Sequence, residues 1–116
     1  MTSQYERDTI AVRFAIGRVL VQGPSMAPTL RHGDQLLVVR RPTARPGQAV
    51  VVRLPGGRLA VKRLVRREAG GTLWVEGDNP FGSTDSRSLG PLAADALSGV
   101  VIARIWPRPR WLHAAR

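Results

Sequence analysis

Ser25, Lys62 and Ser83 are the residues of this 116-residue chain whose types could do chemistry together. Lys62, in LAVKRLV at residues 59 to 65, is the one lysine among 18 Lys and Arg side chains. A guanidinium stays protonated in a protein, whereas an amine gives up its proton when it is desolvated or crowded by cations. Of these basic side chains only the lysine can act as a base. An exposed lysine titrates near pH 10.4, so about one in a few thousand is neutral at pH 7. Burial between Ala60 and Leu64, and neighbouring arginines, would both lower that value. Ser25 lies in VQGPSMAPTL, residues 21 to 30, where Pro24 and Pro28 bias Gly23 and Ala27 away from the helical region. Ser25 is thus expected on a short rigid turn that can present its hydroxyl with its own backbone N–H facing the same space. Taken singly, Ser25 reads as a turn former and Lys62 as a snorkelling surface residue; a serine beside a neutral amine is a nucleophile with its base.

A third stretch, VEGDNPFGSTDSRSLGPL at residues 75 to 92, collects Asp78, Asn79, Ser83, Thr84, Asp85, Ser86 and Arg87 between apolar runs. That is more polar hydrogen-bonding capacity than a simple connection needs. Read blandly it is a solvent-facing turn. His32, in RHGD, offers an alternative base for Ser25, but Gly33 and Asp34 mark a turn into the next strand and His32 reads as a surface turn residue. With no cysteine and only His32 and His113, no metal site or cofactor is expected.

The elements that must hold these residues are strands. Val and Leu occur in short runs separated by Gly and Pro, which predicts strands at 10–21, 35–41, 49–54, 58–67, 72–76 and 98–105. LPGGR and EAGGT carry the glycines of tight turns, so 49–67 and 58–76 form successive hairpins. Alternation along 58–67 sets Ala60, Lys62 and Leu64 on one face and Leu59, Val61, Arg63 and Val65 on the other. The fold is expected to be mostly β with few or no helices. It forms a single domain over 1–116, with 1–8 and 107–116 as peripheral tails, since WPRPRWLHAAR is too rich in Pro and Arg to continue a strand.

A net charge of +10 raises nucleic acid as a partner, but the arginines from Arg7 to Arg58 are scattered, with no helical stripe and no stacked aromatics. Denser pockets occur only at Arg63, Arg66 and Arg67 and at Arg104, Arg108, Arg110 and Arg116, so no specific nucleic-acid binding is expected. Arg13 and Arg18 interrupt the apolar stretch 9–22, leaving no transmembrane span, and no secretory signal pattern is present. The expected location is cytoplasmic, with peripheral membrane contact through Trp106, Trp111 and nearby arginines as the alternative.

SMAPTL, then VKR, then GDNPFGSTDSRSLGPL, in this order, resemble the boxes of the signal peptidase I (S26) Ser-Lys proteases, and the spacing from Ser25 to Lys62 also fits LexA-type self-cleaving proteases. GPSMAPTL, RPGQAVVVRLPGGRLAVKR, WVEGDNPFGSTDSR and the terminal WPRPR are most similar to the nickel-type superoxide dismutase maturation proteases. The resemblance implies a compact signal peptidase/LexA-type catalytic β-fold with Ser25 as nucleophile, Lys62 as general base and Ser83 orienting the amine. The Ser25 backbone N–H serves the oxyanion. Asp85 and Arg87 form an ion pair bracing Ser83, and Asp78 and Asn79 hold the turn. An extended substrate would lie between the strand of Arg58, Leu59, Ala60 and Val61 and the segment of Gln22 and Gly23, with Met26 packed beneath. The implied partner is a precursor protein, the nickel superoxide dismutase proform, losing its N-terminal propeptide. Many bacterial signal peptidases carry a hydroxyl residue where this chain has Gly23. Three other readings are a general signal peptidase at the membrane surface, a noncatalytic basic binding module, and a switch that cuts itself at Ala69-Gly70.

Overall fold

The computed structural model describes residues 16–41 and 43–112. It is a seven-stranded antiparallel sheet: β1 (Ile16–Leu20), β2 (Gln35–Val39), β3 (Ala49–Arg53), β4 (Leu59–Arg67), β5 (Leu73–Glu76), β6 (Leu97–Trp106) and β7 (Arg110–Trp111). The spatial order is β1-β2-β6-β3-β4-β5, with β7 folded back on β6. One short helix, α1 (Ser86–Leu89), and a single 3-10 turn (Ala94–Ala96) complete the described elements. The mostly β expectation holds, as do both hairpins. Gly56 and Gly57 close the first hairpin and Gly70 and Gly71 the second, each at positive φ, where a side chain would be strained.

Two apolar clusters make the core. One joins Val19, Leu36, Val38, Val51, Val61 and Val101 with Met26 and Leu30; the other joins Val50, Val52, Leu64, Leu73, Val75 and Val100. Neighbouring residues of β3 (Val50, Val51) and of β6 (Val100, Val101) enter opposite clusters, so these central strands are buried on both faces. That is why they read as unbroken runs of valine and not as an alternating pattern. The first cluster takes residues from β1, β2, β6, β3 and β4 together, which requires the sheet to curl on itself. Curling brings β1 and β4, first and fifth in the order, to two sides of one groove.

The segment after Trp106 stays at the surface, exposed from 106 to 111, and folds back along β6. Arg110 and Trp111 pair with Arg104 and Ala103, and Leu112 packs against the first cluster, its N–H donating to Ile102 O at 2.9 Å. A Pro-rich stretch cannot extend β6, but it turns the chain and returns two residues to the sheet. Expected features in 1–15 and 113–116, including the start of the first strand, the N-terminal tail and His113, lie outside the described residues.

Candidate active site

The turn that follows β1 presents Ser25. Ala27 N–H donates to Pro24 O (3.0 Å) and Leu30 N–H to Met26 O (2.9 Å), while Met26 is buried beneath it as expected. Asn79 fixes this turn from the far loop: its backbone N–H donates to Ser25 O (2.9 Å) and its side-chain amide to Pro24 O (3.2 Å). Among the described residues the Ser25 N–H has no acceptor, so it is available to an oxyanion.

Lys62 comes from β4, paired with Val50 of β3. It lies on the Ala60 and Leu64 side, as the alternation requires, yet only 3% of it is exposed. Its amine donates to Ser83 Oγ at 3.1 Å, and Ser83 Oγ donates to Asp85 Oδ2 at 2.5 Å. Because the single Ser83 proton is committed to Asp85, Ser83 can only accept from the amine. A neutral Lys62 therefore spends an N–H on Ser83 and keeps its lone pair for another partner. Desolvation pushes the Lys62 amine below the ordinary lysine range; Asp85 opposes this, and Arg58 and Arg87 add to it.

Asp85, 1% exposed, organises the loop. Besides Ser83 it accepts from Gly77 N–H (2.8 Å) and from the backbone and guanidinium of Arg87, with the Arg87 Nη2 to Oδ2 ion pair at 2.6 Å. Burial alone would raise its carboxyl, but the hydrogen bonds from Arg87, Ser83 and Gly77 outweigh that and hold it well below the usual carboxylate range. It also caps α1. Asp78 ties the start of this loop to its neighbours: it pairs with Arg63 of β4 (Nη2 to Oδ2 2.6 Å) and accepts from the Thr29 side chain in the turn after Ser25.

A groove of about 580 Å³ runs past these groups, lined by Ser25 and Lys62 together with Gln22, Gly23, Arg58, Leu59, Ala60 and Val61. Ser83, Asp78, Asn79, Asp85 and Arg87 do not line it and stand behind it as supports. Along β4, residues 59–63 pair with β3, whereas β5 pairs only from Arg63 onward. One edge of 59–62 is thus without a strand partner among the described residues, and so is the outer edge of β1. An extended peptide fits such edges by adding a strand. Ala69-Gly70 sits in the β4–β5 turn, roughly 20 Å along the strand from Lys62 at about 3.3 Å per residue.

Sequence reasoning passed over Gly77. A Cβ there would run into Ser83 Oγ and Ser25 O, so the loop and the Ser25 turn meet over a residue that must have no side chain. The signal was present as the glycine of EGDN, but only the packing explains it. Gly77→Ala should cost about 3 kcal/mol, through overpacking at a buried site, and lower activity in the same variant. Thermal unfolding checks the first and peptide cleavage the second; an unchanged Tm would contradict the close approach.

This sheet, with its buried amine and carboxylate joined through the half-buried Ser83 hydroxyl, belongs to a serine peptidase, the class that comparison with known proteins supports. More narrowly, the chain belongs to the Peptidase S24-like family, whose model matches residues 4–91. It is 29% identical over 90% of its length to mitochondrial ATP-independent inner membrane protease subunit 1a of Arabidopsis thaliana, covering 78% of that protein. It is 32% identical over 79% of its length to mitochondrial inner membrane protease subunit 1 of Xenopus tropicalis, covering 71% of it. The human subunit 1 is 28% identical over 84% of this chain and 74% of its own length. These likenesses define a serine-type protease of the S24/S26 class. They also overturn the cytoplasmic location expected from the sequence, because the relatives are proteases of an inner membrane. No helix among the described residues is long and apolar enough to cross a membrane.

Proposed function

We propose that this peptidase uses Ser25 as nucleophile and Lys62 as general base, and that it removes an N-terminal propeptide from a precursor protein. The observation that carries the reading is the buried Lys62 amine, held by Ser83 and lining the same groove as Ser25. The neutral amine takes the Ser25 proton as Oγ attacks the scissile carbonyl, and the carbonyl electron pair moves to an oxygen that meets the Ser25 N–H. As the tetrahedral species collapses, the C–N bond breaks and the ammonium returns its proton to the leaving amine. A water deprotonated by the same amine then attacks the ester, and as the ester C–O bond breaks the ammonium returns that proton to Ser25 Oγ, restoring the neutral amine. Gly23 supplies no side-chain donor, and its own N–H is already given to His32, so the oxyanion depends on the Ser25 amide. A missing donor of this kind costs on the order of 10²-fold in rate, which a processing enzyme acting once per substrate tolerates.

The pH dependence follows from the amine. Lys62 must be neutral to accept the proton, so kcat/KM falls as pH drops through the Lys62 pKa and reaches a plateau above it. Because burial lowers that pKa, the midpoint should lie below the ordinary lysine value of about 10.4. A pH series of kcat/KM on a cleavable peptide measures it. A limb centred at the free lysine value would contradict a desolvated base.

The first substrate to test is the nickel superoxide dismutase precursor implied by the sequence resemblance. Intact-mass spectrometry after incubation with wild type and with Ser25→Ala should show one N-terminal cut made by wild type alone. An intact precursor with wild type removes this substrate, and a cut that persists with Ser25→Ala removes the nucleophile. A second reading, processing at a membrane surface, is favoured by the inner-membrane relatives and by the exposed Trp106 and Trp111 beside Arg108 and Arg110. Co-sedimentation with anionic vesicles tests it, and a protein that stays in the supernatant sinks it.

A further inference from the structure

The segment 21–23 carries the chain from β1 into Ser25, and the turn 31–34 holds it. Val21 N–H donates to Asp34 O (2.8 Å) and Gly33 N–H to Val21 O (2.9 Å), backbone bonds that many sequences could make. The third tie is different: Gly23 N–H donates to His32 Nδ1 at 2.9 Å. Gly23 has a φ of +82°, Pro24 has no N–H to give, and the Ser25 N–H faces the oxyanion in the proposed mechanism. His32 is thus the last acceptor for a backbone N–H before Ser25, while Asn79 holds the carbonyl side at Pro24 O. The His32 tie is also conditional, since an imidazole nitrogen accepts only when it carries no proton. Protonation would turn this acceptor into a donor pointing at a donor.

We propose that His32 is a positioning residue for Ser25: its neutral imidazole, with the proton on Nε2, locks Gly23 and so sets the nucleophile turn and the adjoining edge for substrate. Acid releases that lock. The inference rests on Ser25 being the nucleophile. Arg31 and Asp34 are the charged groups on the turn itself, with the Asp34 carboxylate accepting from Arg31 N–H (2.9 Å). Arg104 reaches Asp34 from β6 at 3.5 Å, and the facing segment 21–25 carries no charged side chain. A protonated imidazole cannot accept from Gly23 N–H, so loss of this tie adds to protonation of the lysine base, and activity falls more steeply in acid than one base dictates.

The test is the rate at which an alkyl fluorophosphonate labels the protein, an activated serine displacing its fluoride, with Ser25→Ala as blank. His32→Ala should slow labelling about tenfold near pH 8 through loss of orientation alone, while Tm stays within about 3 °C because the ring is exposed. His32→Asn offers an amide oxygen near the place of Nδ1 and should restore the rate to within about threefold. It should also lose the extra acid steepening, because an amide does not titrate. Imidazole ¹⁵N shifts of wild type at neutral pH should report a proton on Nε2 only. His32→Ala labelled at the wild-type rate, His32→Asn as slow as His32→Ala, an equally steep acid limb in His32→Asn, or a proton on Nδ1 would each overturn the proposal. Failure of wild type to label at all strikes the Ser25 reading, and this proposal falls with it.

Discussion

Lys62→Met should abolish peptide cleavage while leaving the protein at least as stable as wild type. Met has nearly the volume and length of Lys, and at a site 3% exposed it replaces a desolvated amine with an apolar group. The one bond it removes is the N–H given to Ser83, whose own proton remains on Asp85. Chemistry loses everything that Lys62 supplies: among the described residues the only other titratable side chain lining the groove is Arg58, which cannot be deprotonated. The expected fall in kcat/KM is about 10³-fold or more, the scale found when one member of a nucleophile and base pair is removed. Lys62→Arg should be equally inactive although it keeps the charge, which separates a base from an electrostatic role. Measured kinetics on a peptide with both variants, alongside unfolding curves, decide the matter. Cleavage retained by the folded Met variant would refute Lys62 as the base.

Asp85→Asn should be the most damaging single-atom change in the supporting loop. The carboxylate accepts from Ser83 Oγ, Gly77 N–H, Arg87 N–H and the Arg87 guanidinium, all of them donors. An amide has one acceptor oxygen and turns an NH₂ toward the rest, setting donor against donor in a buried place. The Arg87 side chain is 37% exposed, so solvent screens its share; the two backbone amides and Ser83 carry more of the loss. About 3 kcal/mol is expected, which at this size lowers Tm by roughly 10–15 °C. The pH dependence has a definite sign. The folded Asp85 carboxyl lies below its unfolded value of about 3.9, so its contribution is complete above that pH and is lost as pH falls through the folded pKa. Asp85→Asn should therefore remove part of the wild-type acid destabilisation. Activity should also fall at temperatures where the variant is folded, because Ser83 is then free to turn its proton onto the Lys62 lone pair. A variant as stable as wild type at neutral pH would show that the hydrogen bonds to Asp85 are not what hold this loop.

The candidate site was legible in unequal parts. Ser83, Asp85 and Arg87 stand close in sequence, and their mutual bonds form within the loop, so a local reading anticipates them. The partners of Asp78 and His32 were not legible in the same way. Each sits in a stretch that looks like a turn, and Asp78 pairs with Arg63 of β4 while the exposed turn residue His32 accepts from Gly23, nine positions back. A polar side chain bonds whatever the fold brings near, and sequence neighbours do not say what that will be. The C-terminal stretch shows the same limit, since proline rules out continuing β6 but not folding back against it.

By itself the sequence determined the local chemistry of the chain: valine runs that prefer strands, paired glycines that make two hairpins, an alternation that turns Lys62 to one face, and a single amine among guanidiniums. These depend on one residue and its neighbours at i+1 and i+2, and they survive any arrangement of the strands. Only the tertiary structure decided that β6 enters between β2 and β3, that the sheet curls until β1 faces β4, and that Gly77 lets the loop close over Ser25. Those outcomes rest on contacts between residues far apart in sequence, selected by which apolar faces can be buried together, and periodicity does not record the choice.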